Sequence, residues 1–176
     1  EDGLAAGKGV VVAASREEAQ AAIEQLGQRG SLLLEEFLRG RECSLLYLCD
    51  GQTMVPLAPA RDYKRVNDGD QGPNTGGMGA FSPLPDVNLD AQEDAFRQIA
   101  QRVLAGLADE QIDYRGILYA GCMVTEDGIK VLEFNCRFGD PETQVLMPRI
   151  DGDIVPALGA CADRRLEGVQ IAWRDE

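Results

Sequence analysis

The sequence predicts an α+β protein whose strands pair mostly in antiparallel sheets. Two Asp-Gly dipeptides, Asp50-Gly51 and Asp127-Gly128, each separate two runs of apolar residues, which is typical of a hairpin turn. Two capping boxes, beginning at Ser15 and Asp90, each precede apolar residues at helical spacing. Strands joined by tight turns, together with helices that carry one apolar face, indicate sheets with helices packed on them.

Each element is expected where apolar periodicity and turn residues coincide. The expected helices are 15–27, 90–108, a short one after 143 and 153–162, and the expected strands are 10–14, 31–34, 43–49, 53–58, 117–125 and 129–135. The connection 61–83 is rich in glycine and holds three basic residues among its first five. Since connections beyond about 12–15 residues are usually functional or disordered, we interpret this one as functional.

Composition excludes several classes of protein. The chain has 176 residues, 44% of them hydrophobic, and a formal charge of −13, which argues against a nucleic-acid backbone or an anionic membrane surface as partner. It has no histidine, and its five cysteines form no Cys-x-x-Cys pair, which argues against zinc fingers, disulfide frameworks and histidine-based catalysis. Scattered thiols fit a reducing compartment, so we expect a cytoplasmic protein.

The segment 133–143 carries a row of polar residues on the last expected strand. Alternation puts Glu133, Asn135 and Arg137 on one side of the strand. The other side, with Phe134 and Cys136, is apolar and can be buried. A carboxylate, an amide oxygen and a guanidinium in a row suit Mg²⁺ with phosphate oxygens, although a solvated polar face would show the same alternation.

Two further stretches allow a nucleotide site. Gly7, Lys8 and Gly9 lie in a glycine loop that can bring backbone amides and one positive charge close to a phosphate, or can be an ordinary turn. Glu35, Glu36 and Leu38 precede a short linker between strands, whose backbone can pair with a flat base, and Glu42 just beyond can accept from ribose hydroxyls. A surface hairpin with solvated acids explains the second stretch equally well.

Three stretches in order resemble one family, the phosphoribosylamine–glycine ligases, also called glycinamide ribonucleotide synthetases. They are Gly-Leu-Ala-Ala-Gly-Lys-Gly at 3–9, Gly-Pro-Asn-Thr-Gly-Gly-Met-Gly-Ala at 72–80, and Glu-Phe-Asn-Cys-Arg-Phe-Gly-Asp-Pro-Glu-Thr-Gln at 133–144. The similarity covers essentially the whole chain. It implies the central region of an ATP-grasp fold, truncated at both ends, with an incomplete small subdomain at 1–40 and a large subdomain at 41–176 that holds the Mg/ATP site.

The resemblance also implies a reaction. Glycine, 5-phosphoribosylamine and ATP would give glycinamide ribonucleotide, ADP and phosphate through a glycyl phosphate, in de novo purine biosynthesis. The implied cofactors are ATP and Mg²⁺ or Mn²⁺. Metal and cations stabilise charge as a phosphoryl group transfers, so the lack of histidine does not oppose this chemistry.

Residue roles follow from the matching motif positions. Glu133 and Asn135 would bind the metal, Lys8 with Gly7 and Gly9 would cover the phosphates, and Glu42 would bind ribose. Glu36 and Leu38 would offer backbone groups to adenine, with Glu35 beside them. The remaining residues are assigned to the glycine, phosphate and ribosylamine region: Asp62, Lys64 and Arg137 as catalytic residues, and Asp62, Arg137, Gly139 and Asp140 as substrate-binding ones.

The chain also departs from the family pattern. Tyr63 stands where the family commonly has histidine, and we expect this piece to lack the N-terminal and C-terminal domains that the resemblance implies for the family enzyme. We expect weak nucleotide affinity and little ligase activity from this piece alone. We also expect an exposed strand edge that favours self-association. The alternatives are another ATP-grasp carboxylate–amine or carboxylate–thiol ligase, or a nucleotide-binding or oligomerisation module without catalysis.

Overall fold

The fold is described from a computed structural model, which describes residues 10–69, 71–87 and 89–175. The chain forms two compact units. Unit 1 consists of Glu1–Arg39 and Tyr63–Met78, and unit 2 of Gly40–Asp62 and Gly79–Glu176. Unit 1 thus includes 63–78 in addition to the segment expected for the small subdomain, and the assignment of subdomains to 1–40 and 41–176 stays a prediction.

The described residues contain both helices and strands, as the sequence predicts. In chain order they are α1 (Arg16–Leu26), β1 (Arg41–Cys49), β2 (Met54–Pro56), β3 (Arg61–Asp62), β4 (Arg65–Asn67), β5 (Gln71–Asn74), β6 (Ala80–Phe81), α2 (Leu89–Asp109), β7 (Gly116–Thr125), β8 (Gly128–Asn135), α3 (Glu142–Leu146) and α4 (Val155–Ala162). Short 3₁₀ helices follow α1 and α3, at Gly27–Arg29 and Met147–Arg149. None of the helices in the described ranges has the length and hydropathy that crossing a membrane requires.

In unit 1 the predicted helix forms and two predicted strands do not. Ser15 caps α1 by accepting a hydrogen bond from the amide of Glu18, and the carboxylate of Glu18 accepts one from the amide of Ala14. The segments 10–14 and 31–34 have no strand conformation, and none of the described strands pairs with them. Leu33 and Leu34 are 77% and 75% exposed. An apolar run forms a strand only where its backbone pairs with a neighbouring strand, so these two strand predictions were wrong.

The connection 61–83 is more regular than a loop. Within unit 1, β4 pairs with β5, and within unit 2, β3 pairs with β6. Beyond the β4–β5 ladder, the backbone oxygen of Lys64 accepts hydrogen bonds from both the amide and the hydroxyl of Thr75. Two ladders and these contacts give the glycine-rich segment a defined conformation. Its predicted functional role stays a prediction.

The centre of unit 2 is a four-stranded antiparallel sheet in the order β2-β1-β7-β8. The predicted Asp-Gly turns connect β1 to β2 and β7 to β8, with Gly51 and Gly128 at φ values of 92° and 115°. Positive φ is the conformation that glycine adopts without steric cost, so both hairpin predictions are confirmed.

Both faces of this sheet are buried at its two central strands. One core, here called the α4 core, contains Leu46 and Leu48 of β1, Ile117 and Tyr119 of β7, and residues of α3 and α4. The second, here called the α2 core, contains Leu45 and Tyr47 of β1, Leu118 and Ala120 of β7, and residues of α2. Because successive residues of a strand face opposite sides, β1 and β7 contribute alternately to the two cores.

One buried carboxylate fixes the end of β1 to the C-terminal part of unit 2. Asp50 is 2% exposed, and its Oδ1 accepts hydrogen bonds from the amides of Gln52 and Thr53. Its Oδ2 accepts one from the amide of Leu166, at 2.9 Å. Burial raises the pKa of Asp50, but hydrogen bonds from the Thr53, Leu166 and Gln52 amides outweigh burial and hold the pKa below its usual value.

Replacing Asp50 with asparagine should destabilise unit 2 by about 1–3 kcal/mol at pH 7, because a charge-assisted acceptor of three amides is lost. The lowered pKa means that the carboxylate stabilises the fold above the unfolded-state pKa, about 3.9, and stops doing so as the pH falls through the lower folded-state pKa. Urea unfolding of the unaltered protein and of Asp50→Asn between pH 7 and pH 2 measures the difference between their free energies of unfolding. A difference that does not shrink below pH 4, or an equal loss in the exposed control Asp109→Asn, would contradict the assignment.

Candidate metal and nucleotide site

A β-bulge in β8 decides which way the candidate metal ligands point. Val131 is opposite Cys122 and Glu133 is opposite Gly121, so Leu132 between them has no partner on β7. Cross-strand partners share a face, and Cys122 belongs to the α2 core. The extra residue therefore places Glu133 on the opposite face of the sheet from Val131, although only two positions separate them.

On that face the predicted polar row is present. Asn135 is opposite Tyr119, whose side chain lies in the α4 core, so Glu133 and Asn135 share the α4 side of the sheet. The amide Nδ2 of Asn135 donates to Glu133 Oε1 at 3.4 Å, and Arg137 Nη2 donates to Asn135 Oδ1 at 3.5 Å. Arg137 Nη1 also donates to the backbone oxygen of Phe138. The carboxylate, amide and guanidinium thus form one continuous row.

The other side of β8 is not buried, contrary to the expectation from alternation. Phe134 is 46% exposed, and Cys136 is exposed as well. β8 is the edge strand of the sheet, and Ile129 near its start packs against the α2 core, whereas Phe134 and Cys136 are not part of that core. An apolar face at an edge can therefore remain in water where no helix extends over it.

The neighbouring strand β7 has a glycine, Gly121, opposite Glu133. A Cβ added at Gly121 would lie 3.1 Å from Cγ of Glu133, which is closer than such atoms normally approach. Glycine at this position of β7 lets the Glu133 side chain lie across the sheet.

Beside the row lies a buried hydrogen-bond network that the sequence did not indicate. Glu142, at the start of α3, is 2% exposed, and its Oε1 accepts hydrogen bonds from Ser44 Oγ at 2.9 Å and Tyr119 Oη at 2.5 Å. Burial, the hydrogen bond to Glu142 and, more weakly, the charge of Asp62 raise the pKa of Tyr119. The network therefore joins β1, β7 and α3 on the face that carries Glu133 and Asn135.

The turn before α3 lies against the Glu142 carboxylate of this network. A Cβ added at Gly139 would lie 2.7 Å from Cδ of Glu142, so the turn passes directly over the carboxylate. The backbone oxygen of Gly139 accepts hydrogen bonds from the amide and hydroxyl of Thr143. Asp140 is exposed, and its Oδ1 accepts a hydrogen bond from Gln144 at 2.7 Å.

Two other predicted site residues of unit 2 lie near its sheet. Asp62 is 8% exposed on β3, which continues from a bridge between Ala60 and Ser44 of β1. Glu42 is half-buried at the start of β1, and its backbone oxygen accepts a hydrogen bond from Arg61 Nε at 2.6 Å. Both residues thus lie close to Ser44, Glu42 on the same strand and Asp62 two positions beyond Ala60, the bridge partner of Ser44.

The predicted nucleotide-binding residues of unit 1 are described in part. Glu35 and Glu36 are exposed and Leu38 is half-buried, all in an irregular segment. Lys64 is half-buried next to β4. Gly7, Lys8 and Gly9 lie outside the described residues.

The donor set fits magnesium better than zinc. In the described ranges, histidine, cysteine and acidic side chains nowhere form a group of three or more that could hold a metal ion. Magnesium usually binds one or two protein oxygens and takes its other ligands from water and substrate phosphates. Glu133 and Asn135 lie on the same side of the sheet and carry a carboxylate and an amide oxygen. A half-turn of the Asn135 amide, whose Nδ2 contacts Glu133 and whose Oδ1 contacts Arg137, would bring the two oxygens together.

The comparison with a protein-family model defines the class of protein first. Residues 1–143 match the family described as phosphoribosylglycinamide synthetase, ATP-grasp (A) domain. Since this match covers most of the chain, the α+β architecture is the predicted ATP-grasp fold. The chain belongs to the phosphoribosylglycinamide synthetase ATP-grasp domain family, as the sequence motifs indicated.

Individual relatives agree with this assignment. The chain is 48% identical over 181 aligned residues to phosphoribosylamine–glycine ligase of Rhizobium meliloti (strain 1021), covering 99% of this chain and 43% of that protein. The crystal structure of phosphoribosylamine–glycine ligase from Thermotoga maritima superposes with a TM-score of 0.72 at 34% identity, over 97% of this chain and 44% of that one.

A more distant neighbour shares the fold alone. It is the biotin carboxylase domain of Hydrogenobacter thermophilus 2-oxoglutarate carboxylase, with a TM-score of 0.64 at 21% identity over 96% of this chain and 37% of that one. That structure contains MgADP. The chain described here spans less than half the length of these relatives, and 13% of another curated relative.

Thiol chemistry tests the burial pattern around the site. Burial raises the pKa of Cys43, Cys49 and Cys122 to about 12, whereas Cys136, next to Asn135, is exposed. Because the thiolate is the reactive form, dithionitrobenzoate at pH 8 should label one thiol rapidly in the native chain and all five only after unfolding. The variant Cys136→Ser should lose the rapid phase, and a rapid phase that persists would contradict the placement of these residues.

Proposed function

We propose that this chain is the ATP- and metal-binding part of a phosphoribosylamine–glycine ligase. The whole enzyme would join glycine to 5-phosphoribosylamine, using ATP, to give glycinamide ribonucleotide, ADP and phosphate in de novo purine biosynthesis. Family membership and the 48% identity to the Rhizobium meliloti ligase support this reaction over other ATP-grasp ligations. The proposed substrates are therefore small molecules.

The observation that carries the proposal is the row formed by Glu133 and Asn135 on the bulged edge strand and by Arg137 just after it. It offers two oxygen ligands of the kind magnesium takes, next to a guanidinium that suits phosphate or carboxylate oxygens. Glu133 and Asn135 would hold Mg²⁺, or Mn²⁺ in its place. When bound, the metal would neutralise charge on the phosphate oxygens during transfer.

The remaining residues would orient the reacting groups. Arg137 would direct its exposed guanidinium at the carboxylate of glycine or the phosphate that it receives. Gly139 and Asp140, on the turn that follows, would contact the amino-acid substrate. Asp62 and Lys64 would contribute one negative and one positive charge for the ribosylamine and the phosphates.

The chemistry would proceed in two displacements. A carboxylate oxygen of glycine attacks the γ-phosphorus of ATP, and ADP leaves with the electrons of the broken P–O bond. The nitrogen of 5-phosphoribosylamine then attacks the glycyl carbonyl carbon, loses a proton to solvent, and inorganic phosphate leaves. Positioning and charge stabilisation account for most of the acceleration of such steps, so this site needs no histidine base.

Adenine and ribose recognition would fall to the residues predicted for it. Glu35, Glu36 and Leu38 would present backbone groups to the base, Glu42 would accept from the ribose hydroxyls, and Lys8 with Gly7 and Gly9 would cover the phosphates. We further propose a cytosolic location, supported by five cysteines that are all free thiols. A net charge of −13 supports neither nucleic acid nor membrane as partner. Self-association through a strand edge stays a prediction.

Calorimetric titration with Mg-ATP tests the metal assignment. The chain should bind Mg-ATP saturably but weakly. Glu133→Gln should reduce the affinity at least about tenfold, equivalent to about 1.4 kcal/mol, because a charged metal ligand is lost. Binding of ATP in the presence of a chelator should be the same for both proteins.

The matched control is Glu126→Gln, which changes an exposed acid in the β7–β8 turn. It should bind Mg-ATP like the unaltered chain. Equal Mg-ATP affinity for the Glu133 variant and the control would show that Glu133 is not a metal ligand.

A further inference from the structure

Glu142 is buried, although acids at the start of a helix usually lie at the surface. The residue is 2% exposed, and its Oε1 accepts two hydrogen bonds from side-chain hydroxyls on other elements, those of Ser44 on β1 and Tyr119 on β7. Burying a carboxylate is costly unless its oxygens are paired, so these contacts hold the side chain in one position.

The turn at Gly139 lies against the Glu142 carboxylate. A Cβ at Gly139 would clash with Glu142, and Thr143 holds the Gly139 oxygen with two hydrogen bonds. A shift of the Glu142 side chain toward this turn would therefore displace the Gly139 backbone, and with it the neighbouring Asp140.

The hydrogen-bond network of Glu142 lies next to the row of candidate metal-site residues, Glu133, Asn135 and Arg137. Tyr119, which donates to Glu142, is the cross-strand partner of Asn135, so both side chains project from the same point of the sheet. Only three positions separate Asn135 from Phe138, whose backbone oxygen accepts from Arg137 and whose side chain packs against the α4 core. The segment 136–141 is thus held at one end by β8 and at the other by Glu142.

We propose that Glu142 is a positioning residue. Its buried carboxylate, fixed by Ser44 and Tyr119, sets the distance of Arg137, Gly139 and Asp140 from the oxygen pair of Glu133 and Asn135. The proposal rests on the proposed function for the role of that pair, but the fixing of the turn stands on contacts within unit 2. It requires a hydrogen-bond acceptor of this length at position 142, and it does not require a negative charge.

Two substitutions separate hydrogen bonding from charge. Glu142→Gln keeps an acceptor oxygen for both hydroxyls and removes the charge. Glu142→Leu keeps the approximate volume but leaves the hydroxyls of Ser44 and Tyr119 unpaired. Tyr119→Phe removes one donor without changing Glu142, and it serves as the second test if the leucine variant does not fold.

Amide hydrogen exchange of the whole chain tests the positioning directly. In Glu142→Leu and Tyr119→Phe, the amides of Thr143 and Gln144, which donate to the backbone oxygens of Gly139 and Pro141 in the turn, should exchange at least about tenfold faster than in the unaltered chain, whereas in Glu142→Gln they should change less than about threefold. Amides 99–107 of α2, a helix that packs against the other face of the sheet, serve as reference. Equal acceleration of the reference amides in the leucine and phenylalanine variants, or none at Thr143 and Gln144, would overturn the proposal.

Titration with MgADP, with and without a chelator, tests whether the positioning serves the metal site. Glu142→Leu should weaken binding of MgADP at least about tenfold and leave metal-free ADP binding within about twofold, and Glu142→Gln should retain most of the MgADP affinity. Faster exchange with unchanged MgADP affinity would overturn the link to the metal row. Failure of the unaltered chain to bind MgADP would instead count against the proposed function, and the exchange result alone would then decide the positioning.

Discussion

The pairing of β1 with β7 is the contact on which the rest of unit 2 depends. Their register runs without interruption from Arg41 opposite Val124 to Cys49 opposite Gly116. Burial of both faces of this pair creates two cores at once, one with α2 and one with α3 and α4. Since apolar burial is the main favourable term in folding, the helices are attached to the sheet through this pair, and β2 and β8 extend it on either side.

The polar face of the sheet follows from that pairing. Ser44 precedes Leu46 on β1, and Tyr119 follows Ile117 on β7 as a member of the α4 core, and the hydroxyls of Ser44 and Tyr119 meet at Glu142. One face therefore changes from a packed apolar region around Leu46 to a polar one along the same strands. Ligand-binding groups can then project from rigid strands, and no flexible loop is needed to carry them.

Much of the fold could be predicted because short-range chemistry specifies it. The Asp-Gly turns and the Ser15 cap act within a few residues, and the structure places them as expected. The strand expected at 31–34 could not be decided in this way, because pairing depends on partners distant in sequence. The family assignment was predictable from motifs that are themselves continuous in sequence.

The site was predictable only where its residues follow one another along β8 and the two positions after it. Glu133, Asn135 and Arg137 could be recognised from alternation, but the bulge at Leu132 gives no signal in an apolar run. Glu142 in Asp-Pro-Glu-Thr resembles an ordinary exposed acid at a helix start. Only the three-dimensional proximity of Ser44 and Tyr119 shows that it is buried.

The bulge gives β8 unequal tolerance to changes in chain length. Loss of Leu132 alone would leave Val131 opposite Cys122 and Glu133 opposite Gly121, since it removes the residue that has no partner. Loss of Phe134 would turn Asn135 away from the face of Glu133 and separate the oxygen pair. A one-residue deletion is thus compatible with this architecture on the hairpin side of Glu133 and incompatible with it on the other side.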